Sequence, residues 1–139
     1  MIVIERRVHE VWEYIADPKN DPQWCDKARS VEQVEGDGPG LGARYAVMHR
    51  PIPMRRAKEL AVTIEEFTPP SHMRIREEDE DGVFDVTYEL EPAGDGTRLI
   101  QRDRIDWRIP RFQQPLACRL VSRDVANQFA ALKRRLEAG

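Results

Sequence analysis

Two hydrophobic periods divide the chain. From Ala43 to Trp107, apolar side chains recur mainly at every second position, the alternation of half-buried β-strands. From Phe112 onward the spacing lengthens to steps of mostly three or four residues, the repeat of one helical face. Phe112, Leu116, Leu120, Val121, Val125, Phe129, Leu132 and Leu136 make that stripe, while Arg119, Arg123, Asp124, Gln128, Lys133 and Arg135 fall mainly between its positions. Pro115 suits a first helical turn, where its missing N–H costs nothing. The spacing predicts a helix over 112–136 that must bury several turns of apolar surface. The alternating strands offer the surface to bury it against, so the expected architecture is a long helix across a curved antiparallel sheet.

The strands can be placed one by one. Tyr45, Val47 and His49 point one way, and Arg44, Ala46, Met48 and Arg50 the other. Leu60, Val62 and Ile64 continue the inward face; Pro69-Pro70 interrupts it, and Met73 and Ile75 resume it. Asp79–Gly82 reads as a turn between strands. Phe84, Val86, Tyr88 and Leu90 form the clearest alternation, Pro92–Gly96 reads as a second turn, and Thr97, Leu99, Gln101, Asp103, Ile105 and Trp107 complete the inward set. Pro51–Arg56 is a partly apolar hairpin tip. Before these come a short strand at Ile2-Val3-Ile4 and a helix whose Val8, Val11, Trp12 and Ile15 share a face until Asp17-Pro18 stops it. Residues 17–22 admit a loop or a second short helix capped by Asp17. Trp24 is expected to pack inward, and a further strand spans Ser30–Glu35 with Val31 and Val34 as its apolar residues.

The outer faces suggest a register. Placing Leu90, Tyr88 and Val86 opposite Thr97, Leu99 and Gln101 sets Glu89 against Arg98 and Asp85 against Arg102. The tight turn at 79–82 sets Arg76 beside Asp85. Each opposite-charge pair across strands favours such pairing by a few tenths to ~1 kcal/mol. Arginines with acidic neighbours make a poor nucleic-acid surface, and the net charge of −3 argues the same way.

Composition adds bounds. A chain of 139 residues reads as one domain over 1–139, long enough for a core. No apolar run approaches membrane-spanning length, and the N-terminus lacks the order of a signal peptide, so a cytoplasmic location is the expectation. The two cysteines, Cys25 and Cys118, have no metal-type spacing and read as buried free thiols. Gly36-Asp37-Gly38-Pro39-Gly40-Leu41-Gly42 invites a phosphate-loop reading. A strand rather than a helix follows it and no Lys-Ser/Thr pair is present, so it reads as a glycine-dependent strand connection. With only His9, His49 and His72, no metal-ligand cluster is evident, nor is there a nucleophile elbow.

Several motifs sit at telling places in this order of elements. Val11-Trp12-Glu13-Tyr14-Ile15-Ala16-Asp17-Pro18 is followed by Trp24 and the glycine-rich connection. Phe67-Thr68-Pro69-Pro70 ends a strand, and Val86–Pro92 leads to Gly96-Thr97-Arg98-Leu99. Leu132–Glu137 closes the last helix. Over nearly its whole length the chain resembles the START-like (SRPBCC) superfamily, and most of all its polyketide cyclase/dehydrase and lipid-transport group. These motifs are specific for the fold and uninformative about the reaction, and the first strand is shorter than is usual. The resemblance implies an α+β helix-grip fold, a seven-stranded curved antiparallel sheet wrapped around the C-terminal helix. It also implies a cavity for a bulky, mostly apolar small molecule. Fold alone does not establish function.

By alternation, the inward polar residues are Tyr45, His49, Tyr88, Gln101 and Asp103, set among Val47, Val62, Ile64, Ile75, Phe84, Val86 and Leu99, with Trp107 at the mouth. These are the candidate ligand-binding residues. Aldol cyclisation or dehydration needs a base beside a carbonyl and a donor for the oxyanion. His49 and Asp103 are candidate bases; Tyr45, Tyr88 and Gln101 are candidate donors. Each has a structural alternative: a tyrosine can serve as core, His49 can sit at a solvent-exposed mouth, and Asp103 can pair with an arginine or turn outward on a bulge. The reading is a small, hydrophobic-ligand-binding protein, with turnover open. The alternative is a protein-interaction or lipid-chaperone module, suggested by the apolar and basic tip Ile52-Pro53-Met54-Arg55-Arg56. No cofactor, metal, nucleic acid or membrane span is expected; a homodimer is compatible with the sequence. The mouth is expected where the tip meets the turn at 79–82, with Arg55 or Arg56 held by Glu80 and Asp81, and with His49 and Trp107 just inside.

Overall fold

The computed structural model describes residues 1–50 and 56–138. Its elements are β1 (Ile2–Ile4), α1 (Val8–Ile15), a 3-10 helix (Pro18–Gln23), β2 (Ala28–Glu35), β3 (Arg44–His49), β4 (Lys58–Thr68), β5 (His72–Asp79), β6 (Gly82–Ala93), β7 (Gly96–Trp107) and α2 (Gln114–Ala138). The strands form one antiparallel sheet in the order β1-β7-β6-β5-β4-β3-β2. α1 and the 3-10 helix carry the chain from one edge strand to the other. α2 lies across the sheet, giving the expected α+β helix-grip architecture.

Local chemistry explains the early elements. The Asp17 carboxylate accepts from the Lys19 N–H (3.0 Å) and caps the 3-10 helix, with Pro18 at its first position. Asn20 Nδ2 donates to the Tyr14 carbonyl (2.9 Å), and Tyr14 Oη donates to Gln23 Oε1 (2.6 Å), fixing the short helix to α1. The glycine-rich segment is a strand connection: Gly38 has φ +82°, and its N–H and C=O both bond the Gln33 side-chain amide, at 3.0 and 2.9 Å.

The β6–β7 register differs from expectation by two residues. Ala93 pairs with Gly96 across a two-residue turn, so Leu90 lies opposite Leu99, Tyr88 opposite Gln101 and Val86 opposite Asp103. Both strands run further toward the turn than the Pro92–Gly96 reading allowed. An even slip leaves every side chain on its face, which is why the inward set survives. The outer pairs change. Arg98 bonds Glu91 directly across (2.7 Å), and Arg102 bonds Glu89 on the diagonal. Arg76 does stand opposite Asp85, but Asp85 takes Arg74 (3.0 Å) while Arg76 reaches Glu78 (3.5 Å).

The buried side chains form one cluster, part of which also lines a cavity. Ile4, Val11, Trp12, Ile15, Tyr45, Ile64, Met73, Leu90, Leu99, Phe129 and Leu132 are buried there together. Lys133 Nζ donates to the Val3 carbonyl (2.6 Å), and Glu137 accepts from the Glu5 N–H (2.8 Å), so the C-terminal half of α2 is tied to the β1 edge. The helix begins at Gln114 and not at 112, Phe112 falling in a 3-10 turn (Arg111–Gln113) just before it, and this end is not buried as expected: Phe112 is 82% exposed, Leu116 62% and Leu120 45%, while Phe129 is 3% exposed. The apolar stripe is continuous, but there the helix spans an opening instead of a filled core. Two smaller expectations also fail. Val34 faces outward, because it lies three residues from the half-buried Val31 and so on the opposite face of β2, and the cysteines are not both buried as expected: Cys118 is exposed and Cys25 half-buried. Both thiols are free.

Candidate functional site

At the end of the sheet away from α1, the inner face and α2 enclose a cavity of ≈ 400 Å³. Val47, Leu60, Val62, Phe84, Val86 and Trp107 make its apolar sheet side, and Leu120, Val121 and Val125 its helix side. His49, Tyr88, Gln101 and Asp103, expected from alternation, lie on this wall too. Tyr45, Ile64, Ile75 and Leu99 do not. They share the inward face and are buried in the same core cluster, but they border no part of this cavity. The alternation fixes the face of a strand and not the position along it at which packing gives way to a cavity.

The polar groups differ in their surroundings. Gln101 Nε2 donates to Asp103 Oδ1 (2.9 Å), two residues along the same face of β7. Asp103 lies at the open side of the cavity, and burial still raises its proton affinity above the usual carboxylate range, offset in part by that hydrogen bond. Burial lowers the affinity of His49, which is held neutral, and its Nδ1 has no partner among the described residues. The Tyr88 hydroxyl is pushed well up by burial and by the neighbouring carboxylates, so it is a donor and never an anion near neutrality. Tyr45, an expected donor, has a buried hydroxyl without a partner among the described residues.

Two carboxylates escaped the sequence reading. Glu77 continues the inward alternation of β5 after Met73 and Ile75, and stands between Val62 on β4 and Phe84 on β6. Burial, with the charges of Asp103 and Asp79 nearby, pushes its pKa up to about 7. The period-two signal was available and stops being visible only because a carboxylate is not expected inside. Asp21 comes from the 3-10 helix, and burial raises its proton affinity strongly, with Glu77 and Asp17 adding to the shift. Its direction is set by packing: Arg135 Nε donates to Gln23 Oε1 (3.1 Å), holding the 3-10 helix against α2. Cys25 also lines the cavity, and burial pushes its thiol far up.

At the mouth Lys58 takes the acidic turn, and Arg56 makes no ion pair among the described residues. Lys58 Nζ bonds Glu80 (2.9 Å) and Asp81 (3.0 Å). Residues 51–55, which include Arg55 and most of the apolar tip, lie outside the described residues. Arg108 donates from its N–H to the Asp81 carbonyl (2.8 Å) and from its guanidinium to the Asp79 carbonyl (3.2 Å), so the chain leaving β7 is fastened to the 79–82 turn. Trp107 packs edge-on against Phe84 (5.5 Å, 83°), and its Nε1 donates to Cys118 Sγ (3.3 Å). Among the described residues no group of three or more His, Cys, Asp or Glu is arranged to hold a metal, and no helix is long and apolar enough to cross a membrane.

The family model described as polyketide cyclase/dehydrase and lipid transport matches residues 1–137. No sequence among the curated proteins matches. Among solved structures, the protein TTHA0849 from Thermus thermophilus superposes with a TM-score of 0.80 at 19% identity, over 99% of this chain and 94% of that one. The Zhui aromatase/cyclase from Streptomyces sp. R1128 gives 0.80 at 12% identity, over 98% and 90%. Ara h 8.0201 gives 0.78 at 14% identity, over 99% and 95%. At such identities these likenesses show the fold.

Proposed function

The chain belongs to the polyketide cyclase/dehydrase and lipid transport family, and from that membership we propose that it binds a small, mostly apolar molecule between the sheet and α2. The observation that carries the reading is the ≈ 400 Å³ cavity, with apolar walls and a few convergent polar groups. Such walls supply most of the affinity by removing apolar surface from water, and the polar groups orient the molecule. The same arrangement suits a cyclase- or dehydrase-like role. In that role an ionised Glu77 or Asp103 removes a proton beside a carbonyl, and Tyr88 or neutral His49 donates to the oxygen that gains charge. No covalent nucleophile is needed for such a step.

The test pairs a ligand search with a blocked cavity. Native mass spectrometry of freshly purified protein is expected to reveal a co-purified apolar molecule. Nile red, a neutral probe, is expected to bind wild type, and Leu120→Trp to weaken binding by roughly ten-fold or more by filling the space. Leu120 is 45% exposed, so the larger ring leaves the fold intact. Unchanged probe affinity in a folded Leu120→Trp protein would place the binding surface elsewhere.

A further inference from the structure

The cavity wall is apolar in area yet acidic in charge. Asp21, Glu77, Asp79, Asp81, Asp103 and Asp124 all border it, coming from the 3-10 helix, β5, the 79–82 turn, β7 and α2. Among the described residues, the cations on the same wall are Lys27 and Lys58. Lys58 is already held between Glu80 and Asp81, and His49 is kept neutral by burial. The remaining titratable groups, Cys25 and Tyr88, stay protonated near neutrality.

Within this set Glu77 and Asp21 combine strong burial of the carboxyl with the lack of a donor, a lack that Asp124 on α2 shares. Asp103 accepts from Gln101, and Asp79 accepts from the Asp81 N–H (2.8 Å). Neither the Glu77 nor the Asp21 side chain receives a hydrogen bond among the described residues, although both are enclosed in the cavity wall and desolvated there. Glu77 is flanked by Val62 and Phe84 on the adjacent strands, at the middle of the cavity's sheet wall. A desolvated carboxylate with no donor is costly to keep, and proteins retain such a group where something supplies the missing partner. The described residues offer no such partner.

We propose that the cavity takes an amphipathic cation: an aromatic or aliphatic body against the Val62, Phe84 and Trp107 wall, with a protonated amine held between Glu77 and Asp21. The inference rests on the binding site proposed above and names the chemical class that site selects. An anionic ligand of the same body meets repulsion from the same carboxylates. Binding of the amine and ionisation of Glu77 reinforce one another: a cation beside the carboxylate lowers its proton affinity, so uptake releases a proton near neutral pH.

Three matched probes test this: 2-(1-naphthyl)ethylamine, 2-(1-naphthyl)ethanol and 1-naphthylacetate, titrated calorimetrically against the full chain at about pH 8 and about pH 5.5. The amine is expected to bind at least about ten-fold more tightly than the alcohol at the higher pH, with the carboxylate weakest. The preference is expected to shrink at the lower pH, where Glu77 holds its proton. Glu77→Gln and, separately, Asp21→Asn are expected to reduce the amine's advantage over the alcohol to under about three-fold. The two variants guard against one of them failing to fold, which circular dichroism checks. Alcohol binding equal to or tighter than amine binding overturns the proposal and leaves the apolar-ligand reading standing. Absence of binding by all three probes to folded protein overturns both.

Discussion

Replacing Glu77 by Gln removes a charge that the fold holds away from water, so the variant is expected to be the more stable protein above neutral pH. Glu77 has an ordinary value of 4.5 in the unfolded chain and about 7 in the fold. A raised carboxylate pKa means that the native state binds more protons than the unfolded state between those values. Stability from this group therefore falls as pH rises through the interval from about 4.5 to about 7, and is constant outside it. The difference corresponds to about 3 kcal/mol at 1.36 kcal/mol per unit, most of it lost between about pH 5 and about pH 7. Glutamine keeps the shape and cannot ionise. At about pH 8 the Glu77→Gln protein is expected to exceed wild type by ~2–3 kcal/mol, the amide's own burial taking back part of the gain, and at about pH 5 the two are expected to lie within ~1 kcal/mol. Urea denaturation followed by tryptophan fluorescence at both pH values reads this directly through the midpoint at constant slope. A stability difference that is the same at both pH values refutes the reasoning, because the carboxylate would then not be ionising in a desolvated place.

The two halves of α2 are expected to respond in opposite ways. Phe129→Ala, at a buried position, should cost ~3–5 kcal/mol, whereas Phe112→Ser, Leu116→Ser and Arg123→Ala, all at exposed positions, should each change stability by ~0.5 kcal/mol or less. Similar denaturation midpoints for Phe129→Ala and Phe112→Ser would contradict the placement of α2. Thiol labelling should separate the cysteines. Exposed Cys118 is expected to react with a maleimide in the native protein, and Cys25, whose buried thiol resists ionisation, only after denaturation. Rapid modification of both under native conditions would show that the cavity around Cys25 is open to reagent.

Alternation and helical spacing determined most of the scaffold, because each strand's inward face and the amphipathic C-terminal helix are written in local periods. They determined that Val47, Val62, Phe84, Val86, Tyr88, Gln101 and Asp103 face inward, and the Asp17 cap was readable from residue type alone. The same period extended one step beyond Ile75 would have found Glu77. Other features depended on tertiary packing. A period-two pattern is unchanged by a slip of two residues, so it could not tell Leu90 opposite Thr97 from Leu90 opposite Leu99; the two-residue turn at Gly94-Asp95 decided that. Nor does it say how far along a strand the core is filled. Tyr45, Ile64 and Leu99 are buried in one cluster with residues of α1 and of the C-terminal half of α2, while Val62, Glu77 and Phe84 stand on a cavity wall. Asp21 faces that wall because the 3-10 helix is pinned between α1 and α2 through Tyr14, Gln23 and Arg135. No local signal in residues 17–23 carries that direction by itself, since it depends also on the Gln23–Arg135 contact, more than a hundred residues apart in the chain.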